Sequence, residues 1–330
     1  ERSRSNYDSS AEISLNASTD IIKTNQDIYK KDSLLNDLSD NLSDIFCEHG
    51  YKVIDIKQNL RFILKNKLNN NSDKKYGVDD VLKLEVIDNV NCAGFDYIFM
   101  RKDPPFDSNY IYLTYFLEYL QDKYAVKIIN NPRSLRDVNE KIFIFRFSEF
   151  ISPTLVSQSV AKILDFCVEH ERVVLKPLNA MGGMGIIDLD VNKHTEVERE
   201  SRVAGMIKNL DGQMIMAQKF LDVNRLGDKR VLLINGKPVP YALARFPAKG
   251  SFVANLAAGG EGKVVPLTKR DLEICSKIGP VISQKGLYLV GLDIVDDCLT
   301  EVNVTSPTCI REINTAHDLD ISGELMELFL

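Results

Sequence analysis

The sequence predicts a mixed fold: an N-terminal α/β layer followed by two α+β pieces rich in antiparallel hairpins. Three observations predict it. Strand-like and helix-like patterns alternate up to about residue 131. Asn235-Gly236 stands between two apolar runs, the strongest short hairpin signal. A second pair of strand-like runs, Leu287 to Val295 and Leu299 to Thr305, closes the chain. With 330 residues, 44% hydrophobic and 27% charged, the chain is long enough for two or three ordinary domains.

Residues 1–26 are rich in Ser, Asn and Asp and read as a disordered tail. From Ser33, Leu34, Leu35, Leu38, Leu42, Ile45 and Phe46 recur at helical spacing up to Gly50. Tyr51 to Ile56 alternates like a strand, and Lys65 to Lys75 reads as a solvated loop. Phe95 to Met100 looks like a buried strand that ends before Pro104-Pro105. Asp107 or Ser108 then caps a helix with an apolar face of Ile111, Tyr115, Leu117 and Tyr119 or their neighbours. Asn131-Pro132 marks a boundary before a helix that carries Asp137 and Glu140 early on. A further helix is expected from Ser157 to His170, then strands at Val173 to Pro177, Ile186 to Val191, Met214 to Gln218, Arg230 to Ile234 and Pro238 to Arg245. A small-residue loop spans Lys249 to Gly262, and a helix covers Leu267 to Lys285. The domain limits follow: a tail 1–26, an N-terminal α/β domain 27–131, a central domain 132–218 and a C-terminal domain 219–330.

Composition excludes some functions. Apolar runs such as Ile142 to Phe145 and Val231 to Ile234 are far shorter than the ~20 residues of a membrane span. The formal charge of −6 is not that of a general nucleic-acid binder. The six cysteines, Cys47, Cys92, Cys167, Cys275, Cys298 and Cys309, form no CxxC pair and read as reduced thiols, hence a cytoplasmic protein.

Four features carry chemistry. Glu301 and Asn303 lie two apart in a strand and share a face, so two hard oxygen ligands project together about 7 Å apart. Asp293 joins them if the hairpin loop has three residues, with Val295 opposite Leu299; a two-residue loop turns it to the other face. Such a set suits Mg²⁺, which shares phosphate oxygens. Lys176, at a strand end, precedes Gly182-Gly183-Met184-Gly185, a turn whose N–H groups can approach an anion, although neither GxxxxGK[ST] nor GxGxxG is present. Arg230 and Arg245 sit on the two arms of the Asn235-Gly236 hairpin, within a few residues of being opposite. Asn255 to Gly260 forms a small-residue loop of the kind that covers a substrate. Together these describe a magnesium–nucleotide site built on strands, and phosphoryl-transfer chemistry.

Five segments then point to one family. Met100-Arg101-Lys102-Asp103-Pro104-Pro105-Phe106-Asp107, Ser134 to Lys141, Leu175-Lys176-Pro177, Asn255 to Gly260, and Glu301 to Glu312 resemble prokaryotic-type glutathione synthetase, an ATP-grasp ligase. The likeness runs from about Phe95 to the C-terminus, and more weakly from Lys31. It implies an ATP-grasp fold behind an N-terminal pre-ATP-grasp domain. It also implies synthesis of glutathione from γ-glutamylcysteine and glycine through an acyl phosphate, with release of ADP and phosphate. Carried onto this sequence, it has Lys141, Lys176 and the loop Gly182, Gly183 and Gly185 meeting ATP phosphates, and Gln218, Lys219, Phe220 and Leu221 holding adenine. Asp293, Glu301 and Asn303 would bind Mg²⁺ or Mn²⁺. Arg230 and Arg245 would orient substrate carboxylates and the phosphoryl group, Asn255 would act in the covering loop, and Ser306 to Arg311 would lie near the peptide. A cytoplasmic homo-oligomer, a tetramer in this family, is implied. The sequence departs from the family in its polar stretch Thr19 to Lys31 and in Ser251 to Ala254, where arginines are usual. Another ATP-grasp carboxylate–amine ligase, or a degenerate nucleotide-binding protein, are the alternatives.

Overall fold

A computed structural model describes residues 95–248 and 259–329, together with 92, 251, 254 and the backbone of 52–56 and 60–64. The expectations for the tail, the Ser33–Gly50 helix, the Lys65–Lys75 loop and most of the covering loop lie outside the described residues.

Strands β1 (Lys52–Ile56) and β2 (Leu60–Leu64) pair antiparallel. Strand β3 (Tyr97–Phe99) pairs parallel with β4 (Lys127–Ile129) across helix α1 (Ser108–Tyr124). Asp107 caps α1, accepting the Tyr110 N–H at 2.8 Å. The buried face of α1 differs from expectation: it is Tyr110, Thr114 and Leu117, whereas Tyr115 and Tyr119 are about half exposed. A tyrosine tolerates water at its polar end, and cations cover these rings: the Arg136 guanidinium over Tyr115 and the Lys123 ammonium over Tyr119. Thr114 is admitted to the core because its hydroxyl donates to Ile111 O at 2.7 Å.

Helix α2 (Pro132–Asp137) is shorter than predicted. Asn131 caps it, and it stops before Glu140, which belongs to the turn ahead of the 3₁₀ segment Phe143–Phe150. The helix predicted from Ser157 is in fact β5 (Thr154–Ser157) followed by α3 (Val160–His170), because Ser159 caps the helix there. After β6 (Arg172–Pro177) and β7 (Ile187–Asp190) comes α4 (Glu196–Asn209), an element the sequence reading left out. Its charged surface hides the helical period, but Thr195 and Glu198 form a capping box that announces its start. Strand β8 (Ile215–Lys219) completes a four-stranded sheet of order β5-β8-β6-β7. Ile163, Cys167, Val173, Leu175, Val203 and Ala217 pack its outer face against α3 and α4.

A short helix α5 (Val223–Leu226) leads into β9 (Asp228–Ile234), β10 (Lys237–Phe246), β11 (Glu261–Pro266), helix α6 (Lys269–Gln284), β12 (Leu289–Val295) and β13 (Cys298–Asn303). Their sheet has the order β11-β10-β9-β12-β13, so Glu261 and Gly262 belong to a strand and not to the loop predicted for them. Strand alternation splits the core. Val231 and Leu233 face one apolar cluster with Ile274 and Ile278 of α6; Leu232 and Ile234 face another with α7 (Ile310–His317) and α8 (Ile321–Glu327). Gly236 (φ 78°) must be glycine, since a Cβ there would sit 2.4 Å from Gly279 O.

Candidate active site

The same alternation builds the site. On β6, Val173 and Leu175 are buried in the outer core, so Val174 and Lys176 face inward; on β8, Ile215 and Ala217 are buried, so Gln218 faces inward. The Lys176 ammonium donates to Gln218 Oε1 at 3.0 Å, and Gln218 Nε2 to Thr154 Oγ1 at 3.0 Å. Burial pushes the Lys176 ammonium down, Glu301 opposes that, and neighbouring Lys141 adds to it. Lys141 enters from the turn after α2, its ammonium 2.6 Å from Ala180 O and 3.5 Å from Glu301 Oε1.

On the five-stranded sheet two irregularities decide which side chains meet. Between Pro238 and Ala242 the β9–β10 register shifts, which puts Arg245 opposite Asp228 and Arg230 opposite Leu243. In the β12–β13 hairpin the loop is the two-residue turn Asp296-Asp297, both with positive φ (48° and 63°). That loop was expected to turn Asp293 away. A bulge at Thr300 restores the parity instead: Val295 pairs with Cys298, Ile294 with Leu299, and Asp293 with Glu301. The Thr300 hydroxyl donates to Asp293 O at 3.1 Å across the bulge.

Asp293 is thereby the hub of a buried charge chain. Arg230 donates through Nε to Oδ1 at 2.6 Å and through an η nitrogen to Oδ2 at 3.2 Å. Arg245 lies 3.0 Å from Oδ1 and donates to Asp228 Oδ2 at 2.8 Å. Asn303 Nδ2 donates to Asp293 Oδ2 at 3.1 Å. Burial alone would raise the Asp293 carboxyl, but the two guanidiniums hold it well below the usual carboxylate range. Burial pushes Asp228 up to about 6, against Arg245. Gly291 leaves room for this network, since a Cβ there would meet Arg230 Cδ at 2.8 Å.

Between the two sheets runs a cleft of about 360 Å³. It is lined by Lys141, Lys176, Gly182, Gly183, Gln218, Lys219, Phe220 and Leu221 from one side, and by Arg230, Arg245, Asp293, Glu301, Asn303 and Ser306 from the other. Two predicted residues are not part of the cleft lining, although Gly185 lies between Met184 and Ile186, which are. Gly185 (φ 70°) serves packing, because a Cβ would come 3.1 Å from Pro177 Cγ. Arg311 is exposed on the first turn of α7: Cys309 (φ 86°) redirects the chain, Ile310 and Ile313 point inward, and 311 falls on the outer face. Asn255 lies outside the described residues, although its neighbour Ala254 is buried against the cleft. Asp103, Glu140 and Asp228 also line it and were not singled out from sequence, and Thr308 lines it from within the Ser306 to Arg311 stretch expected near the peptide. Asp228 could have been found as the acid preceding Lys229-Arg230 at a strand start; Glu140 offered only its place beside Lys141.

Two antiparallel sheets close on a cleft with lysines on one wall and an Arg–carboxylate chain on the other, the arrangement expected of an ATP-grasp ligase. Solved structures agree on the fold: D-cycloserine synthetase DcsG superposes with a TM-score of 0.57 at 16% identity, over 72% of this chain and 86% of that one. The ATP-grasp ligase PsnB, complexed with its precursor peptide PsnA2 and AMPPNP, gives 0.50 at 15% identity, over 88% and 92%. Residues 140–318 match the family model "Prokaryotic glutathione synthetase, ATP-grasp domain", and residues 36–136 match the N-terminal domain of the same family. The glutathione synthetase of Pseudomonas putida is 48% identical over 236 residues (71% of this chain, 73% of that protein), and that of Vibrio vulnificus 46% over 238 (72% and 74%). The chain belongs to the prokaryotic glutathione synthetase family and is an ATP-dependent ligase.

Proposed function

We propose that this chain joins the cysteinyl carboxylate of γ-glutamylcysteine to the amine of glycine, using ATP and Mg²⁺, in the cleft described above. The observation that carries the site assignment is the hairpin register: Asp293 opposite Glu301, with Asn303 on the same face and Lys141 3.5 Å from Glu301. The donor set fits a hard divalent cation. Asn303 spends its amide nitrogen on Asp293 Oδ2 and Gly291 O, which leaves the amide oxygen for a cation; Glu301 offers a carboxylate, and Asp293, whose oxygens accept from Arg230, Arg245 and Asn303, would exchange one of those bonds for the cation. Asp293, Glu301 and Asn303 would hold Mg²⁺, which when bound neutralises phosphate charge during transfer.

A carboxylate resists an amine because its leaving group would be oxide. Transfer of the γ-phosphoryl group to a carboxylate oxygen converts that oxygen into part of a phosphate leaving group. The glycine nitrogen then attacks the carbonyl carbon, the C–O bond to phosphate breaks, and the amine proton is lost. In this reading Lys141 and Lys176 bind phosphate oxygens, and Gly182 and Gly183 bring backbone close to them. Gln218 to Leu221 hold the adenine. Arg230 and Arg245 neutralise the carboxylate and the transferred group, with Ser306 near the peptide. The acyl phosphate hydrolyses readily, so water must be excluded, and Ala254, buried against the cleft, supports the connection between β10 and β11 as the cover. The domain limits 27–131, 132–218 and 219–330, a cytoplasmic location and a homo-oligomer, a tetramer by family resemblance, belong to the same proposal.

The test is ADP and phosphate release by the purified chain with ATP, Mg²⁺, γ-glutamylcysteine and glycine. The expected result is one glutathione per ADP and no glutathione when glycine is omitted. ADP release without glutathione, or equal turnover with unrelated amines, would overturn the substrate assignment.

A further inference from the structure

Glu140 is a buried carboxylate that the mechanism above does not use. It lines the cleft and is 8% exposed. Its Oε1 accepts three hydrogen bonds from one segment: Val304 N–H at 2.9 Å, Thr305 N–H at 3.0 Å and the Thr305 hydroxyl at 2.9 Å. Its backbone carbonyl accepts the Val302 N–H at 2.9 Å. The carboxylate therefore grips 304 and 305, which directly follow Asn303, while the backbone carbonyl, which a side-chain substitution leaves in place, holds 302 between Glu301 and Asn303. Among the described residues β13 is the last strand of its sheet, with β12 on one side. Glu140 stands where a further strand would, supplying acceptors to N–H groups that the ladder does not use.

The grip does not hold Lys141 itself. The Lys141 N–H donates to Asn139 Oδ1 at 3.1 Å, and its ammonium to Ala180 O. The turn thus has two tasks on adjacent residues: Lys141 points at the phosphate end of the cleft, and Glu140 holds the strand that carries two of the three oxygen donors.

We propose that Glu140 is a positioning residue for the cation site, fixing Glu301 and Asn303 of β13 at a set distance from the Lys141 ammonium. This rests on the assignment of Glu301 and Asn303 as cation ligands. Hydrogen bonds that orient ligating carboxylates and amides set cation affinity, and their loss costs about 10–100-fold. A residue that only stabilised the fold would lower the melting temperature and leave the benefit of Mg²⁺ to nucleotide binding unchanged.

The experiment measures the dissociation constant of AMPPNP by calorimetry, in saturating Mg²⁺ and in EDTA, and takes the ratio. In Glu140→Ala the gain from Mg²⁺ falls at least ~10-fold, while affinity in EDTA changes less than ~2-fold. Glu140→Gln, which keeps an acceptor oxygen, restores most of the gain. Thr305→Val, which removes one of the three bonds, gives an intermediate loss and decides the matter if Glu140→Ala does not fold. Glu301→Gln is the control. If it loses the gain but Glu140→Ala or Thr305→Val keeps it, the role of Glu140 is overturned and the cation site stands. If Glu301→Gln keeps the gain, the cation-site assignment fails and the proposal with it. Glu140→Gln falling as far as Glu140→Ala overturns the hydrogen-bond account.

Discussion

Lys229 lies between Asp228 and Arg230 on β9 but points to the opposite face, toward α6. Its ammonium is 2.5 Å from Asp271 Oδ1, and the two side chains are 4% and 0% exposed. A second carboxylate, Asp297, is 4.0 Å away and about half exposed, so it contributes no more than ~1 kcal/mol. Replacing Lys229 with methionine keeps the aliphatic volume and leaves the Asp271 carboxylate buried without its cation. Removing one partner of such a pair costs ~3–5 kcal/mol. Asp271→Asn keeps an oxygen for the Thr268 N–H of the α6 cap, accepted at 2.9 Å, and strands the Lys229 ammonium instead. The double variant leaves neither charge unpaired, so its loss is smaller than the sum of the singles by ~2–3 kcal/mol. Urea unfolding at pH 7, followed by circular dichroism with unchanged m-values, measures all four proteins. A Lys229→Met loss below ~1 kcal/mol, or additive singles, would show that the pair is not what joins α6 to the strand beneath the site.

Glu301→Gln removes a carboxylate from the cleft without changing shape; kcat falls by ~10²-fold or more while the melting temperature moves little, and near-normal kcat would remove Glu301 from the reaction. Burial raises the folded-state pKa of Asp228 from its usual 3.8 to about 6. Folding is therefore favoured by this group at low pH, and the contribution disappears as pH rises from about 4 through 6. Asp228→Asn should compare better with the wild type at pH 7 than at pH 4.5 in urea unfolding, and an equal difference at both would refute the raised pKa. Arg172 stacks on Phe220 at 3.5 Å, bonds both Asp188 oxygens at 2.8 Å, and accepts the Phe220 N–H at its carbonyl. Arg172→Ala is expected to raise the KM for ATP ~5-fold or more with the KM for γ-glutamylcysteine unchanged; equal effects on both would disconnect Phe220 from the nucleotide.

The lesson of α1 is that helical spacing showed a helix and its Asp107 cap, while the choice of face went to Tyr110 and Thr114 because the exposed tyrosines had cations and water for partners. Likewise α4 was hidden by its charged surface although its capping box was in plain view.

What the sequence determined by itself was local. Asn235-Gly236 demanded a tight turn, Glu301 and Asn303 had to share a strand face, and Lys176 had to end a strand ahead of glycines that accept positive φ. Backbone sterics and the two-residue strand period reach only a few positions, and that much can be read directly. The tertiary structure decided the rest. The Thr300 bulge returned Asp293 to the face of Glu301 after a two-residue loop had turned it away. A register shift brought Asp228 to Arg245. The Glu140 carboxylate found its donors 164 and 165 residues further along the chain. Bulges and long-range hydrogen bonds are settled by which packing leaves the fewest buried polar groups unpaired, and that is a property of the assembled sheets, not of any short stretch of sequence.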